Sequence, residues 1–366
     1  MFVDETFKAG TKRQNHPSYI DFYEGVITGN GSIIVTAVNI TQADLRPVAG
    51  PKDGWVVDAL VYELDIESNK VLFRWSAIEH LQRIPFELSK NPLAGAGRSE
   101  RDPWNFFHIN SVIRYGDSYL VAWRYGCSVL LVSKNGEGIN GGDFKLGRDA
   151  NFCYQYGLRL SDQTKDKITI SFHNNDNAEF TTRLKITTGM ILDLDLQNKT
   201  AVLNRRVWDN ADPVKTQDLG SFQSLPNNHI LMNHGIIPVI EEYNENGALV
   251  MKVRYGYDKV ESTYRVHRVP WIGTPKTKPS VKACRTVPSR ELTVYVSWNG
   301  ATGVESWMVY EKPTEGPSKM LKIEPRNGFE TAIRGVKDAG NTVVVGAVGG
   351  PNNGVESDPV AVIDCS

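Results

Sequence analysis

The sequence lacks the features that mark several common classes of protein. Its 41 basic residues balance 42 acidic ones and form no basic block, so nothing favours binding to nucleic acid or to an anionic membrane. No apolar run approaches the roughly 20 residues of a membrane helix. No Ser-His-Asp string, nucleophile elbow, phosphate loop or dinucleotide-binding fingerprint occurs, which leaves hydrolase, kinase and dehydrogenase functions without support. We expect a soluble chain that binds neither nucleic acid nor membrane.

Metal-binding patterns are also missing, and the opening residues do not predict a secretory signal. No Cys-x-x-Cys or His-x-x-x-His pair occurs, so we predict neither a metal nor a cofactor. Residues 1–8 contain no apolar signal core. Three glycosylation sequons, at Asn30, Asn39 and Asn198, nevertheless favour the secretory pathway or secretion.

The four cysteines are even in number, which also fits an oxidising compartment. Cys127 and Cys153 flank one predicted sheet, and Cys284 and Cys365 bracket the last segment of the chain. Disulfides at both places are one interpretation, and free thiols in the core are the other.

Turn residues are abundant, with 32 glycines and 18 prolines, and long amphipathic helical patterns are nearly absent, which predicts an all-β protein. One hairpin pattern recurs at 57–75, 128–144, 190–208 and 238–255. It consists of an apolar strand, a polar turn and a second apolar strand. A turn followed by a strand precedes each hairpin, at 30–36, 116–121, 166–170 and 226–231. Four rounds of a four-stranded unit predict the blades of a β-propeller.

The composition changes after residue 275. Residues 276–279 resemble a linker. Strand patterns at sandwich spacing follow, at 292–298, 305–310, 320–323, 330–333 and 342–347. We therefore predict a propeller over 1–275 and an immunoglobulin-like β-sandwich over 276–366, with Trp298 and Phe329 buried.

The aromatic run 102–112 contains two polar side chains on a predicted buried strand. His108 and Asn110 are two residues apart, so on an extended chain they share one face. Leaving such groups buried without partners costs about 1 to 3 kcal/mol each. They either form an internal hydrogen-bond network or line a ligand cavity, and the sequence leaves both open.

Several strings, in order along nearly the whole chain, resemble the fungal branch of the arylsulfotransferase (ASST) family. They include His-Ile-Asn-Ser-Val at 108–112, Gly-Ser-Phe-Gln-Ser-Leu-Pro-Asn at 220–227, Ser-Trp-Asn-Gly-Ala-Thr at 297–302 and Gly-Phe-Glu-Thr at 328–331. The resemblance implies a propeller of five or six blades followed by a small sandwich domain. Family members have one to two further blades before the point where this chain begins, so either the propeller is incomplete at its N-terminus in this chain or the ring closes with fewer blades.

The chain departs from the family where the family carries histidines. Ile20-Asp21-Phe22 replaces His-Glu-Phe, Arg124-Tyr125 replaces Arg-His, and 155–159 replaces Gln-His-Asp-Ala-Arg. Bacterial relatives transfer a sulfuryl group through a histidine, because the relay needs a nucleophile that is also a good leaving group. His108 remains at a family position, and His234 is an addition, so we expect such a relay to be weakened or lost.

The inner strands of a propeller line its channel, so polar groups on these strands and at their ends are the site candidates. The predicted catalytic residues are His108, Arg124, Tyr156, Arg159 and His234. The predicted substrate-binding residues are Asn110, Gln223, Tyr264, His267, Asn175 and Trp271. The alternatives are buried ion pairs for the two arginines and core packing for the tyrosines and the tryptophan.

Three functions follow from these residues and from the resemblance. The first is a cofactor-independent pericyclase, like the hetero-Diels-Alderases of fungal tropolone sesquiterpenoid biosynthesis, which join an oxygenated aromatic quinone methide to a terpene alkene. The second is an aryl sulfotransferase that needs no nucleotide donor and acts through a histidine. The third is a non-catalytic propeller that binds a small molecule or a protein. The expected partners are small aromatic and terpenoid compounds.

Overall fold

The computed structural model describes residues 18–134, 138–139, 144–286, 290–312 and 316–365. Their regular structure is β-strand apart from short 3-10 helices, so the all-β prediction is confirmed. The chain divides into two compact units, Met1–Arg268 and Val269–Ser366. This division lies before the boundary that the sequence indicates between residues 275 and 276.

The first unit begins with two four-stranded antiparallel sheets that each follow chain order. The first sheet consists of β1 (Tyr19–Ile27), β2 (Ser32–Ala43), β3 (Gly54–Asp65) and β4 (Val71–Ser76). The second consists of β5 (Ile109–Tyr115), β6 (Ser118–Trp123), β7 (Ser128–Ser133) and β8 (Gly138–Ile139). The 57–75 hairpin of the sequence corresponds to β3 and β4.

The third and fourth sheets repeat the same arrangement. The third sheet consists of β9 (Lys145–Leu146), β10 (Gln155–Gln163), β11 (Lys167–Asn174), β12 (Thr188–Asp195) and β13 (Thr200–Val207), with β9 added parallel to β13. The fourth consists of β14 (Ser221–Ser224), β15 (Ile230–Asn233), β16 (Val239–Tyr243) and β17 (Leu249–Arg254). The first strands of consecutive sheets contact one another, β1 with β5, β5 with β10 and β10 with β14. The first unit therefore has the predicted propeller architecture, and its described residues form four blades.

Apolar clusters lie between consecutive blades, as expected when sheets stack face to face. One cluster joins the first two blades and includes Trp75 and Trp123. A second joins the next two blades around Leu120 and Phe172, and a third holds the last pair around Phe222. Burying each such side chain contributes roughly 1.5 to 3 kcal/mol, so these interfaces fix the inner strands in place.

Residues 263–268 connect the fourth blade back to the first. The Val266 backbone N–H donates to Ser221 Oγ at 3.1 Å, on β14. Arg265 Nη1 donates to Glu24 Oε1 at 2.6 Å, on β1. We call residues 263–268 the closing segment, because it bonds to inner strands of both end blades.

The second unit contains seven strands in one pairing order, β21-β20-β23-β24-β18-β19-β22. Their bounds are β18 (Ser280–Thr286), β19 (Leu292–Ser297), β20 (Ser306–Glu311), β21 (Lys319–Pro325), β22 (Glu330–Val336), β23 (Thr342–Val348) and β24 (Val360–Cys365). Trp298 is buried with Trp307 in its core, as predicted. Phe329 is 62% exposed, so its predicted burial is wrong: it lies in a bend just before β22. An immunoglobulin-like sandwich remains a prediction.

Both predicted disulfides are present, Cys127–Cys153 and Cys284–Cys365, so the free-thiol alternative is wrong. Two disulfides are typical of an oxidising, secretory-type environment. Within the part of the chain that the structure describes, no helix has the length and apolar character needed to cross a membrane.

Candidate ligand-binding site

Left-handed backbone conformations mark the ends of the inner strands. His108 has φ 59° just before β5, Tyr154 has φ 55° before β10, and Leu219 has φ 61° before β14. Cys127 (φ 50°) and Asp176 (φ 53°) follow β6 and β11. Such conformations in residues other than glycine cost about 1 to 3 kcal/mol each and concentrate at functional sites. The strand ends of three neighbouring blades are therefore the first candidates for a site.

The disulfide joins two of these strand ends. Arg124 and Tyr125 lie in the turn after β6, and Cys127 links this turn to Cys153, which immediately precedes Tyr154. The Arg124 backbone N–H also donates to the carbonyl of His108 at 3.2 Å. The second and third blades thus present their strand ends to one another in a fixed arrangement.

Arg124 is the buried cation of this region, with 1% of its side chain exposed. Its Nη1 donates to the hydroxyl of Tyr125 at 2.8 Å, and its Nη2 donates to Glu179 Oε1 at 2.8 Å. Asp218 Oδ1 lies 3.4 Å from Nη2, and the guanidinium also lies over the ring of Tyr156 at 5.2 Å. Burial lowers the pKa of Arg124, but the surrounding phenols and carboxylates outweigh it and raise that pKa above its ordinary value.

Aromatic rings surround Arg124. The ring of Tyr23 lies 4.8 Å from that of His108, and His108 lies 5.4 Å from Tyr125. Tyr154 and Phe180 meet edge to face at 5.8 Å. We call this cluster the aromatic site, and its ring-bearing members are Tyr23, His108, Tyr125, Tyr154, Tyr156 and Phe180.

Burial sets the protonation states of the aromatic site. It holds the pKa of His108 well below its usual range, and the Arg124 cation lowers it further. His108 is therefore a neutral imidazole, with one ring N–H and one acceptor nitrogen. Burial also raises the pKa of Tyr125 to about 12 and raises the pKa values of Tyr23 and Tyr154. The phenols remain protonated donors at neutral pH.

The prediction that His108 and Asn110 share one face of a strand is wrong. His108 precedes β5 in a left-handed conformation, and the β5–β6 register shifts between Ile109 and Val112, so simple alternation does not apply. Asn110 is buried and donates to the carbonyl of Gln155 at 2.7 Å. It belongs to an internal hydrogen-bond network, whereas the His108 ring faces the aromatic site.

Arg159 has the alternative role that the sequence left open. Its Nη1 donates to Glu24 Oε2 at 3.0 Å, and Glu24 is a buried carboxylate on β1. Arg265 of the closing segment binds the same carboxylate at 2.6 and 3.1 Å. Arg159 is thus part of a structural ion-pair cluster of Glu24, Arg159 and Arg265, the Glu24 cluster.

His234 is buried with both ring nitrogens occupied. Nδ1 lies 3.2 Å from Nε2 of His173, and Nε2 lies 2.9 Å from Glu241 Oε2. Neither nitrogen faces the aromatic rings around Arg124 as a free nucleophile in this arrangement, and the catalytic role of His234 remains a prediction. Asn175 lies beside these two histidines, with its Oδ1 2.7 Å from His173 Nδ1. Its hydrogen bonds hold the histidine and the backbone and do not point into the aromatic site.

The other predicted substrate-binding residues serve the closing segment or lie outside the aromatic site. Gln223 exchanges two hydrogen bonds with the backbone of Arg268, at 2.8 and 2.7 Å. Tyr264 donates to the Asn110 carbonyl at 3.2 Å, although its ring also packs against Tyr23 at 5.5 Å. His267 is exposed. Trp271 is 72% exposed and belongs to the second compact unit.

Sequence reasoning missed Tyr23, Glu179, Phe180 and Asp218. Tyr23 directly follows Ile20-Asp21-Phe22, a string that differs from the family, and this signal could have revealed it. Glu179 and Phe180 come from the long β11–β12 connection, and Asp218 comes from the connection before β14. These two loops carry no periodic pattern, so only the fold brings them to Arg124.

The described residues also delimit a pocket elsewhere in the first unit. It has a volume of about 670 Å³ and lies between residues 48–51 and 93–98, with Arg98 as its charged side chain. None of the predicted site residues lines it. Among the residues that the structure describes, no group of three or more His, Cys, Asp or Glu side chains is arranged to hold a metal ion.

Comparison with solved structures gives remote similarities. A protein of unknown function from Bacteroides caccae is 12% identical with a TM-score of 0.33, covering 66% of this chain and 83% of that one. A luciferin-regenerating enzyme is 9% identical with a TM-score of 0.33, covering 77% and 88%. A virginiamycin B lyase from Staphylococcus aureus, crystallised with quinupristin, is 9% identical with a TM-score of 0.28, covering 92% and 94%. Similarities this low carry no argument about function.

Comparison with curated protein sequences finds no match. The family model described as arylsulfotransferase (ASST), in contrast, matches residues 2–256. This range includes the four blades and every ring of the aromatic site. The chain therefore belongs to the arylsulfotransferase (ASST) family.

Proposed function

We propose that the aromatic site binds a neutral, oxygen-bearing aromatic compound. The observation that carries this proposal is the charge balance around Arg124. Its single positive charge is paired with Glu179 at 2.8 Å and lies 3.4 Å from Asp218, so the three groups sum to one negative charge (+1 − 2 = −1). An aryl sulfate anion is repelled by this balance, whereas a carbonyl or phenol oxygen is not.

The uncommitted donors of the site fit such a substrate. Within the described residues, the hydroxyls of Tyr23 and Tyr154 have no hydrogen-bond partner, and their raised pKa values keep them protonated. A carbonyl oxygen that accepts from one of these hydroxyls is polarised, while the surrounding rings orient an apolar partner against it. This is what a cofactor-independent cyclase of the hetero-Diels-Alder type needs, and that reaction class rests on the resemblance to fungal pericyclases.

Sulfuryl transfer through His108 is the second candidate, and the neutral imidazole favours it. The unprotonated ring nitrogen attacks the sulfur of an aryl sulfate, the sulfur–oxygen bond breaks and the phenolate leaves. An acceptor phenol then attacks that sulfur and loses its proton, and the nitrogen–sulfur bond breaks. Arg124 would have to release Glu179 to bind sulfate oxygens. Arg159 is committed to Glu24 at 3.0 Å.

Binding experiments distinguish a neutral ligand from an anionic one. We expect acetophenone to bind the intact chain in isothermal titration calorimetry, and phenyl sulfate to bind at least tenfold more weakly. Tyr154→Phe should weaken acetophenone binding about three- to tenfold, because it removes one hydrogen bond to the ligand. Tyr115→Phe is the matched control, since the Tyr115 hydroxyl bonds to the Thr164 carbonyl and not to the site. A preference for phenyl sulfate would overturn the proposal.

Activity measurements separate the two reactions. A cyclase should convert a quinone-methide precursor and humulenol into one enantiomer of the adduct, faster than buffer does. Incubation with 4-nitrophenyl sulfate should then leave the intact mass of the protein unchanged. An added sulfuryl mass that disappears in His108→Ala would instead support transfer. Racemic product at the buffer rate, without added mass, would leave only binding.

A further inference from the structure

A chain of four buried polar side chains runs behind the aromatic site. Asn175 Oδ1 lies 2.7 Å from His173 Nδ1, His173 Nε2 lies 3.2 Å from His234 Nδ1, and His234 Nε2 lies 2.9 Å from Glu241 Oε2. All four residues are essentially inaccessible to solvent. We call them the His173 chain, and the ligand chemistry above uses none of them.

The hydrogen bonds of the His173 chain have one consistent direction. Asn175 Nδ2 donates to the Leu219 carbonyl at 3.1 Å, so its Oδ1 must accept from His173 Nδ1. Burial lowers the pKa of His173 to about 3, so this ring is neutral and its Nε2 accepts from His234 Nδ1. The carboxylate of Glu241 accepts at the far end, from His234 Nε2 at 2.9 Å.

Glu241 anchors the far end of the His173 chain. It accepts from the hydroxyl of Tyr243 at 2.5 Å, and Lys252 Nζ lies 3.1 Å from its other oxygen. Burial opposes its ionisation, but the bonds from His234, Tyr243 and Lys252 lower its pKa below the ordinary value. The other end is an amide bonded to a backbone carbonyl, which cannot pass a proton onwards. The chain therefore holds a position and does not relay protons.

The His173 chain fixes the backbone at Leu219. Leu219 has φ 61°, a strained conformation for a branched side chain, and Asn175 fixes its carbonyl. Gly220 follows, and a Cβ there would lie 2.5 Å from His173 Nδ1, so the backbone passes directly against the imidazole. The Leu219 N–H donates in turn to Asp218 Oδ1 at 2.9 Å. That carboxylate also accepts from the hydroxyl of Tyr156.

We propose that the His173 chain positions Asp218 and, through it, Tyr156 and Arg124 of the aromatic site. His173, His234 and Glu241 are then positioning residues that act at a distance from the ligand. The inference rests on the proposed function, because the placement of Asp218 matters to a ligand only if the aromatic site binds one.

Two variants test this proposal against a matched control in the full chain. His173→Phe keeps a ring of similar size without its nitrogens, and Glu241→Gln keeps the side-chain shape without its charge. His229→Phe is the control, because His229 and Glu242 form a similar pair in the same blade, at 2.8 Å, with no bond to residues 216–220. We expect His173→Phe and Glu241→Gln to weaken acetophenone binding five- to tenfold, and His229→Phe to change it less than twofold.

A second measurement needs no ligand. With tyrosine labelled with ¹³C at Cζ, and the Tyr156 resonance assigned from its loss in Tyr156→Phe, we expect this resonance to move in His173→Phe and in Glu241→Gln but not in His229→Phe. An Asp218→Asn background should abolish the effect of His173→Phe on acetophenone affinity, since the two changes act through one group.

The outcomes separate the two proposals. If acetophenone does not bind the unmodified chain, the proposed function is wrong. The Tyr156 resonance still tests whether the His173 chain positions Asp218 and Tyr156, because that measurement needs no ligand. An unmoved Tyr156 resonance in both variants would overturn it. Additive effects of His173→Phe and Asp218→Asn on affinity would also overturn it. If His173→Phe does not fold, Glu241→Gln carries the same comparison.

Discussion

Two buried charged side chains in the first unit, the cation of Arg124 and the anion of Glu24, are both held in ion pairs but have different surroundings. Arg124 is paired with Glu179 and lies near Asp218. The Glu179 side chain is 52% exposed and the Asp218 side chain is 29% exposed. Glu24 is enclosed by Arg159 and Arg265, and its own side chain is 1% exposed. Arg124 therefore faces partners that a ligand can reach, whereas Glu24 faces partners that are themselves bonded to the backbone of inner strands.

The difference shows which ion pairs can serve a ligand. Arg159 also donates to the Leu158 carbonyl at 2.7 Å, and Arg265 donates to the Asn110 carbonyl at 3.1 Å. The Glu24 cluster thus joins β1, β5, β10 and the closing segment through ion pairs and bonds to backbone carbonyls. The aromatic site keeps free hydroxyls and an imidazole beside its cation. We infer that the Glu24 cluster stabilises the blades, and we place the proposed ligand-binding role in the Arg124 region.

Removing the Glu24 charge should have the largest effect on stability. Glu24→Gln leaves the partly exposed Arg159 and Arg265 without the buried carboxylate that pairs with both, and removing the buried partner of an ion pair costs about 3 to 5 kcal/mol. We expect the free energy of unfolding in urea to fall by that amount, while the folded protein keeps its acetophenone affinity within about threefold.

Asp44→Asn is the control for this substitution, because Asp44 pairs with Arg46 on the exposed surface. Solvent screens such a pair, so the Tm should not change. A Glu24→Gln protein that is as stable as the unmodified chain but has lost acetophenone binding would reverse the roles assigned to the two regions.

Asp21 gives an intermediate effect that depends on pH. It lies on β1 three residues before Glu24, and burial raises its pKa from 3.8 to about 6. A raised carboxyl pKa contributes stability below the unfolded value, and this contribution is lost as the pH rises through about 6. After discounting for partial exposure, we expect a loss of about 1 to 2 kcal/mol between pH 4 and pH 7.

Asp21→Asn should remove that part of the pH dependence, which urea unfolding at pH 4, 5.5 and 7 can measure. The variant should be more stable than the unmodified chain at pH 7, and similar to it at pH 4. An unchanged pH profile would show that burial does not raise the pKa of Asp21.

The sequence predicted the fold better than the site because strand patterns are local. Alternation and turn residues between 188 and 207 were enough to indicate β12 and β13. The strands β18 and β24 were missed, since β18 follows the predicted linker, β24 is the last strand, and their parallel pairing joins residues far apart in the sequence. The exposure of Phe329 also depends on the bend before β22 and not on its type.

The site required information that no local pattern contains. His108, Arg124 and Tyr156 were found because they lie at strand ends, which the hairpin repeats indicate. Arg159 could not be told from Arg124, because its partner Glu24 is 135 positions away. Whether an arginine is sealed in an ion pair or open to a ligand is decided by the tertiary contacts of its partner.

Substituting Arg159 should have the smallest effect and separates the two regions most directly. Its side chain is 32% exposed and makes one bond to Glu24, whereas Arg265 is 13% exposed and makes two. Arg159→Gln should therefore lower the free energy of unfolding by only about 1 kcal/mol, because Arg265 still neutralises Glu24. Arg265→Gln should cost more in the same urea titration. Neither should change acetophenone affinity, since both side chains are bound within the Glu24 cluster. If Arg159→Gln unfolds normally but binds acetophenone at least tenfold more weakly, Arg159 belongs to the ligand site, as the sequence alone predicted.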